Sequence, residues 1–356
     1  MVGVFVTGTD TGVGKSVVSA AIAAALHARG VRVAARKPVL TGTDEPAGEW
    51  PPDDELLALA TGASADEVTR IRFGPPVSPH LAAEQAGVGL ELEALLPEAG
   101  EAEALVVEGV GGLLVPLGAR STVRDLARAV GLPVVVAARP GLGTISHTLL
   151  TVEAARAGGL DVRAVVLTPW PDAPGDMEWS NASTIAERSG VDVARLARVP
   201  SPTREALAQA GEELPLDGWL GEPAAPRALL DHAVIAVSDW DRANAFYRDV
   251  VGVRVDQAPG ELRRFRYRLA NTVLNVHGPG MDPQPVARIP AAPGMADLCF
   301  VWPGTIESAA AHLRAHGVEI ELGPVPRNGA RGPALSVYFR DPDGSLLELM
   351  SYAASP

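Results

Sequence analysis

Residues 2–16 read VGVFVTGTDTGVGKS, and this stretch indicates how the first part of the chain folds. An apolar run typical of a buried strand leads into a glycine-rich loop, after which Lys15 and Ser16 begin a helical pattern. Backbone N–H groups can crowd around phosphate oxygens in such a loop because glycines place no Cβ atoms in the way. The helix N-terminus adds a partial positive charge. The stretch therefore predicts a phosphate-binding P-loop.

Individual roles follow for the residues of this loop. Lys15 is expected to reach the β- and γ-phosphates of a nucleotide, and the Ser16 hydroxyl is expected to bind Mg²⁺. The usual P-loop has a glycine five positions before Gly14, whereas this chain has Thr9 there. The plainer alternative is a strand–turn–helix whose glycines serve only the turn, but the GKS ending favours a nucleotide site.

Short apolar runs alternate with helical patterns through the first two hundred residues. This alternation predicts an α/β fold of the P-loop NTPase type, a parallel sheet with helices on both faces. Ligands of such sheets lie beyond the carboxyl ends of the strands. The predicted strands are residues 2–6, 31–35, 105–107, 133–138 and 162–167, and the predicted helices are residues 16–28, 54–60, 122–130 and 146–157.

Charged residues follow or begin several of these segments. Lys37 follows the second predicted strand, where Pro38 restricts the backbone; a lysine in this position is otherwise a solvated charge. Glu108 ends a buried strand, where an unpaired carboxylate is rare, so it is predicted to bind magnesium. Asp53 and Asp54 begin a helix, and N-capping is their simplest role.

The composition excludes several classes of protein. The 356 residues are 47% hydrophobic and 21% charged, as in a globular protein of two or three domains. Thirty basic residues against 43 acidic ones give a formal charge of −13, which disfavours nucleic acid and anionic membranes as partners. One cysteine, Cys299, excludes a disulfide framework. Without a signal-peptide pattern or an apolar run of about 20 residues, a soluble cytoplasmic protein is expected.

Several motifs in order resemble one family, the ATP-dependent dethiobiotin synthetases of the biotin pathway. The resemblance covers residues 1–221, and the one-residue expansion of the P-loop is the family's own form. The motifs are FVTGTDTGVGKS at residues 5–16, KPV at 37–39 followed by TGT at 41–43, SPH at 78–80, VEGVGG at 107–112 and GLGTISHTLLT at 141–151.

This resemblance implies a reaction and a set of site residues. ATP, Mg²⁺ and CO₂ would close a ureido ring on 7,8-diaminopelargonic acid, through a carbamate and a carbamic-phosphoric anhydride, in a homodimer. The implied residues are Thr11, Lys15 and Lys37 for catalysis; Gly12, Val13, Gly14, Lys15 and Ser16 for the nucleotide; Ser16, Glu108 and Asp54, with Asp53 as its substitute, for Mg²⁺; and Thr41, Gly143, Thr144, Ile145 and Ser146 for the substrate.

Two alternatives stay open for this part of the chain. The family often has an adenine-reading asparagine near Thr168, whereas this chain reads LTPWP at residues 167–171, which leaves nucleotide selectivity open. A deviant-Walker P-loop ATPase with an accessory metabolite-binding domain is the second candidate. Its loop would carry an additional lysine early in the motif, where this chain has Thr9, Asp10 and Thr11.

A second domain is predicted beyond a stretch rich in proline and alanine. The predicted domains are residues 1–221 and 228–356, with residues 222–227 as a linker. The order of strand-like and helical patterns occurs twice in the second domain, as in two βαβββ units. The predicted strands are residues 230–237, 264–269, 272–276, 297–301, 336–339 and 346–352, and the predicted helices are residues 240–251 and 306–316.

The second domain is similar to the glyoxalase/vicinal-oxygen-chelate superfamily, and within it to the glyoxalase-domain-containing protein 5 group. The similarity covers residues 228–353. Its motifs are LLDHAVIAVSD at residues 229–239, FYRDVVGV at 246–253, LNVHGPG at 274–280, ADLCF at 296–300, ELGPVPRNGA at 321–330 and SVYFRDPDGSLLELMSY at 336–352.

This similarity implies a divalent metal (Zn, Ni, Mn or Fe) held by His232, His277 and Glu348. Asp297 occupies the place of a frequent fourth ligand and is left out of the set. Spacing alone favours a plainer interpretation, because isolated histidines at strand ends are usually surface or capping residues. Two functions stay open: a metalloenzyme acting on a small oxygenated metabolite, and a module that binds a small molecule.

Overall fold

The computed structural model describes residues 2–46, 48–222, 230–257, 264–269, 272–283, 286–330 and 332–352. The chain divides into two compact units, Met1–Ala228 and Leu229–Pro356. The predicted linker, residues 222–227, lies outside the described residues except for Glu222. Within the described ranges, every helix is too short or too polar to cross a membrane.

The first unit is built from strands that alternate with helices. Its strands are β1 (Val2–Gly8), β2 (Val33–Arg36), β3 (Val39–Thr41), β4 (Ile71–Phe73), β5 (Ala104–Glu108), β6 (Val134–Ala138), β7 (Val162–Trp170) and β8 (Asp192–Ala197). Its helices are α1 (Lys15–Ala28), α2 (Asp53–Thr61), α3 (Ala65–Val68), α4 (Pro79–Gln85), α5 (Val123–Val130), α6 (Thr144–Ala157), α7 (Asp176–Ser189), α8 (Arg204–Glu212) and α9 (Leu216–Trp219), with a 3₁₀ turn at Leu92–Leu95.

Six of these strands form one parallel sheet in the order β2-β5-β1-β6-β7-β8. Neighbouring residues of β1 point to opposite faces, so Val4 and Val6 pack into one apolar layer and Phe5 into the other. Because both faces are covered, β5 and β6 are apolar and buried along their whole length. The predicted P-loop type of α/β fold is confirmed.

The strand order places the functional segments at one edge of the sheet. Strands β1, β2, β5 and β6 are parallel neighbours, so the segments that follow them meet where their carboxyl ends lie. A separate two-stranded parallel ribbon, β3 with β4, comes after β2. The apolar pattern did not predict this ribbon, since each of its strands has only three residues.

The second unit contains the same topology twice. Its elements are β9 (His232–Ala236), α10 (Trp240–Phe246) continued by a π-helical turn (Tyr247–Val251), β10 (Arg254–Gln257), β11 (Phe265–Arg268), β12 (Val273–His277), β13 (Asp297–Val301), α11 (Ile306–Ala315), β14 (Ile320–Gly329), β15 (Gly332–Arg340) and β16 (Leu346–Ser351). The sheet orders are β10-β11-β12-β9 and β14-β15-β16-β13. In each, the first strand of the unit pairs in parallel with the last. The paired βαβββ prediction is confirmed.

Candidate active site

The P-loop connects β1 to α1 through a tightly folded backbone. Gly12 and Gly14 have φ values of 68° and 90°, a region that favours glycine. A Cβ atom at Gly8 would lie 2.7 Å from the side chain of Val13. Lys15 is buried, and its Nζ donates to the main-chain oxygen of Asp10 at 2.9 Å. The loop thus surrounds the ammonium group of Lys15 with closely spaced backbone groups, an arrangement that suits a phosphate ligand.

A buried cluster of charged side chains lies next to this loop. Lys37, directly after β2, donates from Nζ to Glu108 Oε1 at 2.7 Å and also contacts the carboxylate of Asp53. The same Glu108 oxygen accepts from the Ser16 hydroxyl at 2.9 Å. The side chains of Lys37 and Glu108 are 3% and 0% exposed. The cluster forms because β2 and β5 are neighbours, and because α1 begins at the same edge of the sheet.

Burial and neighbouring charges act in opposite directions on these groups. Burial alone would lower the pKa of Lys37, but the carboxylates of Glu108 and Asp53 outweigh it and raise that pKa. Burial lowers the pKa of Lys15, and Glu108 only partly offsets this. Burial disfavours the charged form of Asp53, yet the ammonium of Lys37 holds its pKa below the usual range. Burial raises the pKa of Glu108, against the opposing charge of Lys37. Lys37 is therefore a fixed cation.

The oxygen atoms of this cluster fit a divalent cation. Glu108 Oε2 is buried and has no hydrogen-bond partner among the described residues. Such an atom is costly unless a ligand compensates it. The Ser16 hydroxyl and the Asp53 carboxylate lie beside Glu108, and hard cations such as Mg²⁺ prefer oxygen ligands of this kind. Ser16, Asp53 and Glu108 are thus the residues that would hold the ion.

Asp54, which was expected to bind Mg²⁺, does not lie in this cluster. Its Oδ2 accepts from Arg72 Nε at 2.8 Å, and its side chain is 6% exposed. Successive side chains of a helix project about 100° apart, so the two neighbouring carboxylates cannot face the same site. Asp53, the substitute that the sequence left open, contacts Lys37 instead, so the geometry favours Asp53 over Asp54.

A cleft of about 770 Å³ opens onto the P-loop and the charged cluster. Among its walls are the expected nucleotide, catalytic and substrate residues Thr11, Gly12, Gly14, Lys15, Ser16, Lys37 and Thr41, together with Asp53. Its volume is within the usual range for small-molecule sites. Val13 is buried. The structure thus brings together predicted residues from three separate motifs.

Residues 143–146 lie at the beginning of α6, which follows β6. Gly143 has a φ of 89°, and Thr144 is buried with its Oγ1 3.3 Å from Thr148 Oγ1. These residues are not among the walls of the cleft described above. Leu142, just before them, is 93% exposed.

Thr168 packs behind the P-loop. It is buried near the end of β7, and a Cβ atom at Gly14 would lie 2.7 Å from its Cγ2. The threonine side chain thus limits the space behind the loop. Nucleotide selectivity at this position stays a prediction.

Two arginines near the site were not predicted. Arg139 follows β6 directly, and its Nη2 donates to the main-chain oxygen of Thr11 at 3.2 Å. Its position after a predicted strand was a usable signal. Arg72 lies in the short strand β4 and pairs with Asp54. The sequence carries no comparable signal for Arg72, because β4 is too short to show a periodicity.

The predicted metal ligands of the second unit do not come together. His232 begins β9 and His277 ends the adjacent parallel strand β12, four residues apart in register, or about 13 Å. His232 is exposed and pairs with Asp231 at 2.7 Å. Glu348 lies in the other sheet, opposite Cys299. Among the described residues, no three His, Cys, Asp or Glu side chains are grouped so that they could hold a metal ion. His232, His277 and Glu348 are therefore not grouped as one ligand set in the structure.

The second unit instead contains an apolar cavity of about 370 Å³. Among the described residues, its walls include Val234 and Ala236 of β9 and His277 of β12, and no Asp, Glu, Lys or Arg side chain. Ile235 of β9 also lines the cavity. The remaining walls come from the segment before β13, namely Val286, Ala287, Ile289, Pro290, Ala291, Ala292, Met295 and Ala296. One imidazole thus borders an otherwise apolar space.

The fold and site define a P-loop nucleotide-binding protein joined to a glyoxalase-type unit. A family described as "AAA domain" matches residues 2–205. An "ATP-dependent dethiobiotin synthetase BioD" of Mycobacterium avium (strain 104) is 45% identical over 183 residues, 49% of this chain and 78% of the relative. One of Anaeromyxobacter dehalogenans (strain 2CP-C) is 47% identical over 173 residues, 47% of this chain and 76% of the relative. The chain belongs to the ATP-dependent dethiobiotin synthetase family.

The second unit matches another family. The "Glyoxalase/Bleomycin resistance protein/Dioxygenase superfamily" matches residues 229–349. A solved structure, an integron cassette protein from the mobile metagenome of V. cholerae, is 35% identical and covers 36% of this chain and 99% of its own, with a TM-score of 0.34. The predicted fusion of a dethiobiotin synthetase-like domain with a glyoxalase domain is thus confirmed.

Proposed function

We propose that this chain makes dethiobiotin from 7,8-diaminopelargonic acid, CO₂ and ATP, with Mg²⁺. The observation that carries the proposal is the position of Lys37, which contacts both Glu108 and Asp53 in the cleft beside the P-loop. Membership of the dethiobiotin synthetase family supports the same activity.

The proposed reaction has three steps. One amine of the substrate adds to the carbon of CO₂ and loses a proton, which gives a carbamate. A carbamate oxygen attacks the γ-phosphorus of ATP, the bond to the bridging oxygen breaks, and ADP leaves. The second amine then attacks the carbamoyl carbon, the carbon–oxygen bond to the phosphate breaks, and phosphate leaves as the ring closes and the amine releases a proton.

The second step brings together two anions, so the site needs compensating positive charge. Lys37 remains protonated and would contact the carbamate and the γ-phosphate, while Lys15 would contact the β- and γ-phosphates. Ser16, Asp53 and Glu108 would hold Mg²⁺, which would supply further positive charge to the phosphate oxygens. Thr11 and Thr41 line the cleft and would hydrogen-bond the substrate.

Phosphate release tests this proposal directly. We expect release from MgATP and bicarbonate only when the diamine is present, and a loss of at least a hundredfold in Lys37→Ala. Arg163→Ala, which removes an exposed cation paired with Asp161, is the matched control and should retain activity. Phosphate release at the same rate with and without the diamine would favour the deviant-Walker ATPase instead.

We further propose a homodimer in which the start of α6 binds the substrate carboxylate across the interface. Free N–H groups at a helix N-terminus suit a carboxylate. Leu142 and Leu150 are 93% and 61% exposed beside and within α6, which supports a covered surface there. Light scattering should give twice the chain mass of 36.9 kDa. Leu150→Asp should shift the protein toward monomer, and an unchanged dimer would reject this interface.

For the second unit we propose binding of a small, largely apolar molecule. The uncharged cavity beside His277 supports this function over that of a metalloenzyme. The fluorescence of Nile red should rise on binding and fall back in Val234→Trp, which fills the cavity. Val301→Trp, on the exposed side of β13, is the control. Unchanged binding in Val234→Trp, or a stoichiometric metal in the purified chain, would contradict the proposal.

A further inference from the structure

Arg72 connects three segments behind the charged cluster. Its Nε donates to Asp54 Oδ2 at 2.8 Å, its Nη1 to Asp66 Oδ1 at 2.9 Å and its Nη2 to the main-chain oxygen of Ala65 at 2.8 Å. The guanidinium thus joins β4 to the first turn of α2 and to α3. Because Asp54 is buried, this ion pair is well shielded from water.

The same segments also support Lys37 and the substrate side of the cleft. The backbone N–H of Lys37 donates to the main-chain oxygen of Val68, the last residue of α3, at 2.9 Å. Arg72 is opposite Leu40 in the β3–β4 ribbon, and Thr41 is the next residue of β3. Arg72 therefore contacts or lies opposite the segments that adjoin Lys37, Asp53 and Thr41, although it is not among the walls of the cleft.

We propose that Arg72 is a positioning residue, which turns Asp54 away from the site and thereby holds Asp53 against Lys37 and toward the metal. The two carboxylates are neighbours in the first turn of α2, so fixing one of them fixes the rotation of the other. Without Arg72, the side-chain contact that holds Asp54 away from the site is lost and the first turn of α2 can rotate, and in Arg72→Gln the uncompensated buried charge of Asp54 also favours that rotation. The effect on Mg²⁺ rests on the proposed function, whereas the effect on Lys37 does not.

The chain offers a direct readout of this effect, because Lys15 and Lys37 are its only lysines. Carbon-13 labelling of lysine therefore yields two side-chain signals, which can be followed in the protein without metal or nucleotide. We expect Arg72→Gln to move the Lys37 side-chain signal at one fixed pH, and to move it more than that of Lys15, since Asp53 no longer stays in contact with Lys37. Arg70→Gln is the matched control, because it removes an exposed ion pair with Glu98 two residues away.

Metal dependence gives a second readout. In Arg72→Gln the half-saturating concentration of Mg²⁺ should rise roughly tenfold, with kcat at saturating Mg²⁺ within about threefold of wild type. Mn²⁺ binding in the presence of ADP should weaken by the same factor. Should Arg72→Gln fail to fold, the double variant Asp54→Asn with Arg72→Gln removes both charges and avoids a lone buried carboxylate.

The outcomes separate the two proposals. A folded Arg72→Gln or double variant in which the Lys37 signal and the half-saturating Mg²⁺ concentration match those of wild type would overturn the positioning role. Such a result would leave Arg72 as a purely structural residue. Absence of diamine-dependent turnover in the wild type would refute the proposed function instead, and the lysine signals would still decide the role of Arg72.

Discussion

Lys37 Nζ lies 2.7 Å from Glu108 Oε1, although the two residues are 71 positions apart in the sequence. The pair joins the ends of two neighbouring strands, β2 and β5, at the edge where the P-loop also lies. Arginine serves as the cation everywhere else in the chain, since Lys15 and Lys37 are its only lysines. Compact ammonium groups are thus confined to the site where phosphate and carbamate charges are expected to meet.

The two lysines are expected to titrate on opposite sides of the ordinary lysine pKa of about 10.4. Burial lowers the pKa of Lys15, whereas Glu108 and Asp53 raise that of Lys37 despite its burial. As the pH rises, Lys15 should therefore lose its proton first. Carbon-13 lysine spectra measure both values, and Lys15→Met assigns the signals. A Lys37 signal that titrates below that of Lys15 would contradict the structure.

Asp53 and Asp54 are expected to differ sharply on substitution. Asp53→Asn should raise the half-saturating Mg²⁺ concentration at least tenfold, because it removes a charged oxygen ligand from the proposed metal site. In Asp54→Asn the amide oxygen can still accept from Arg72, so we expect a change of less than about threefold. ATP turnover measured against Mg²⁺ concentration makes the comparison. Equal effects, or a larger one for Asp54→Asn, would restore the original prediction for Asp54.

Gly211 is expected to be required for the packing of α8 against α1, the helix that begins at the P-loop. A Cβ atom at Gly211 would lie 2.1 Å from the main-chain oxygen of Ala21, so the helices would have to separate. Gly211→Ala should lower the free energy of unfolding by about 2 kcal/mol. The control is Gly218→Ala, where the new Cβ would contact nothing within 4 Å. Urea denaturation measures the free energy of unfolding of both variants, and an equal value for the two would contradict this prediction.

Cys299 is expected to react slowly with thiol reagents although it is exposed. Partial burial, and then the charge and hydrogen bond of Glu348, raise the pKa of this thiol to about 12. At pH 8 the thiolate fraction, and with it the alkylation rate, should be roughly a thousandfold below that of free cysteine. Glu348→Gln should lower the pKa and speed the reaction. Because the chain has a single cysteine, iodoacetamide uptake reports this residue alone. A rate like that of free cysteine would show that Glu348 does not act on it.

The sequence was sufficient for the parts of the site that local patterns encode. The strand, the glycines and the GKS ending predict the P-loop, and a glutamate at the end of a buried strand predicts Glu108. Asp53 and Asp54 could not be separated, because both are carboxylates in the same helical turn. Their difference depends on Arg72, which comes from a distant three-residue strand.

The second unit shows the same limit. Repeated strand and helix patterns predicted its two βαβββ units, whose topology the structure confirms. The proposed ligands His232, His277 and Glu348 were combined from similarity, and the strand register determines whether they can meet. In the parallel pair of β9 with β12, the two histidines lie at opposite ends.

The sequence by itself determined the class of each unit, the phosphate-binding loop and the identity of the lysine and glutamate beside it. These features follow from local patterns in the sequence, namely hydrophobic periodicity, loop length and the residue type at each position. The tertiary structure decided which of two adjacent carboxylates faces Lys37, that Arg72 stands behind them, and that His232 and His277 lie apart. Those outcomes depend on helix rotation and strand register, which are set by contacts between residues distant in the sequence.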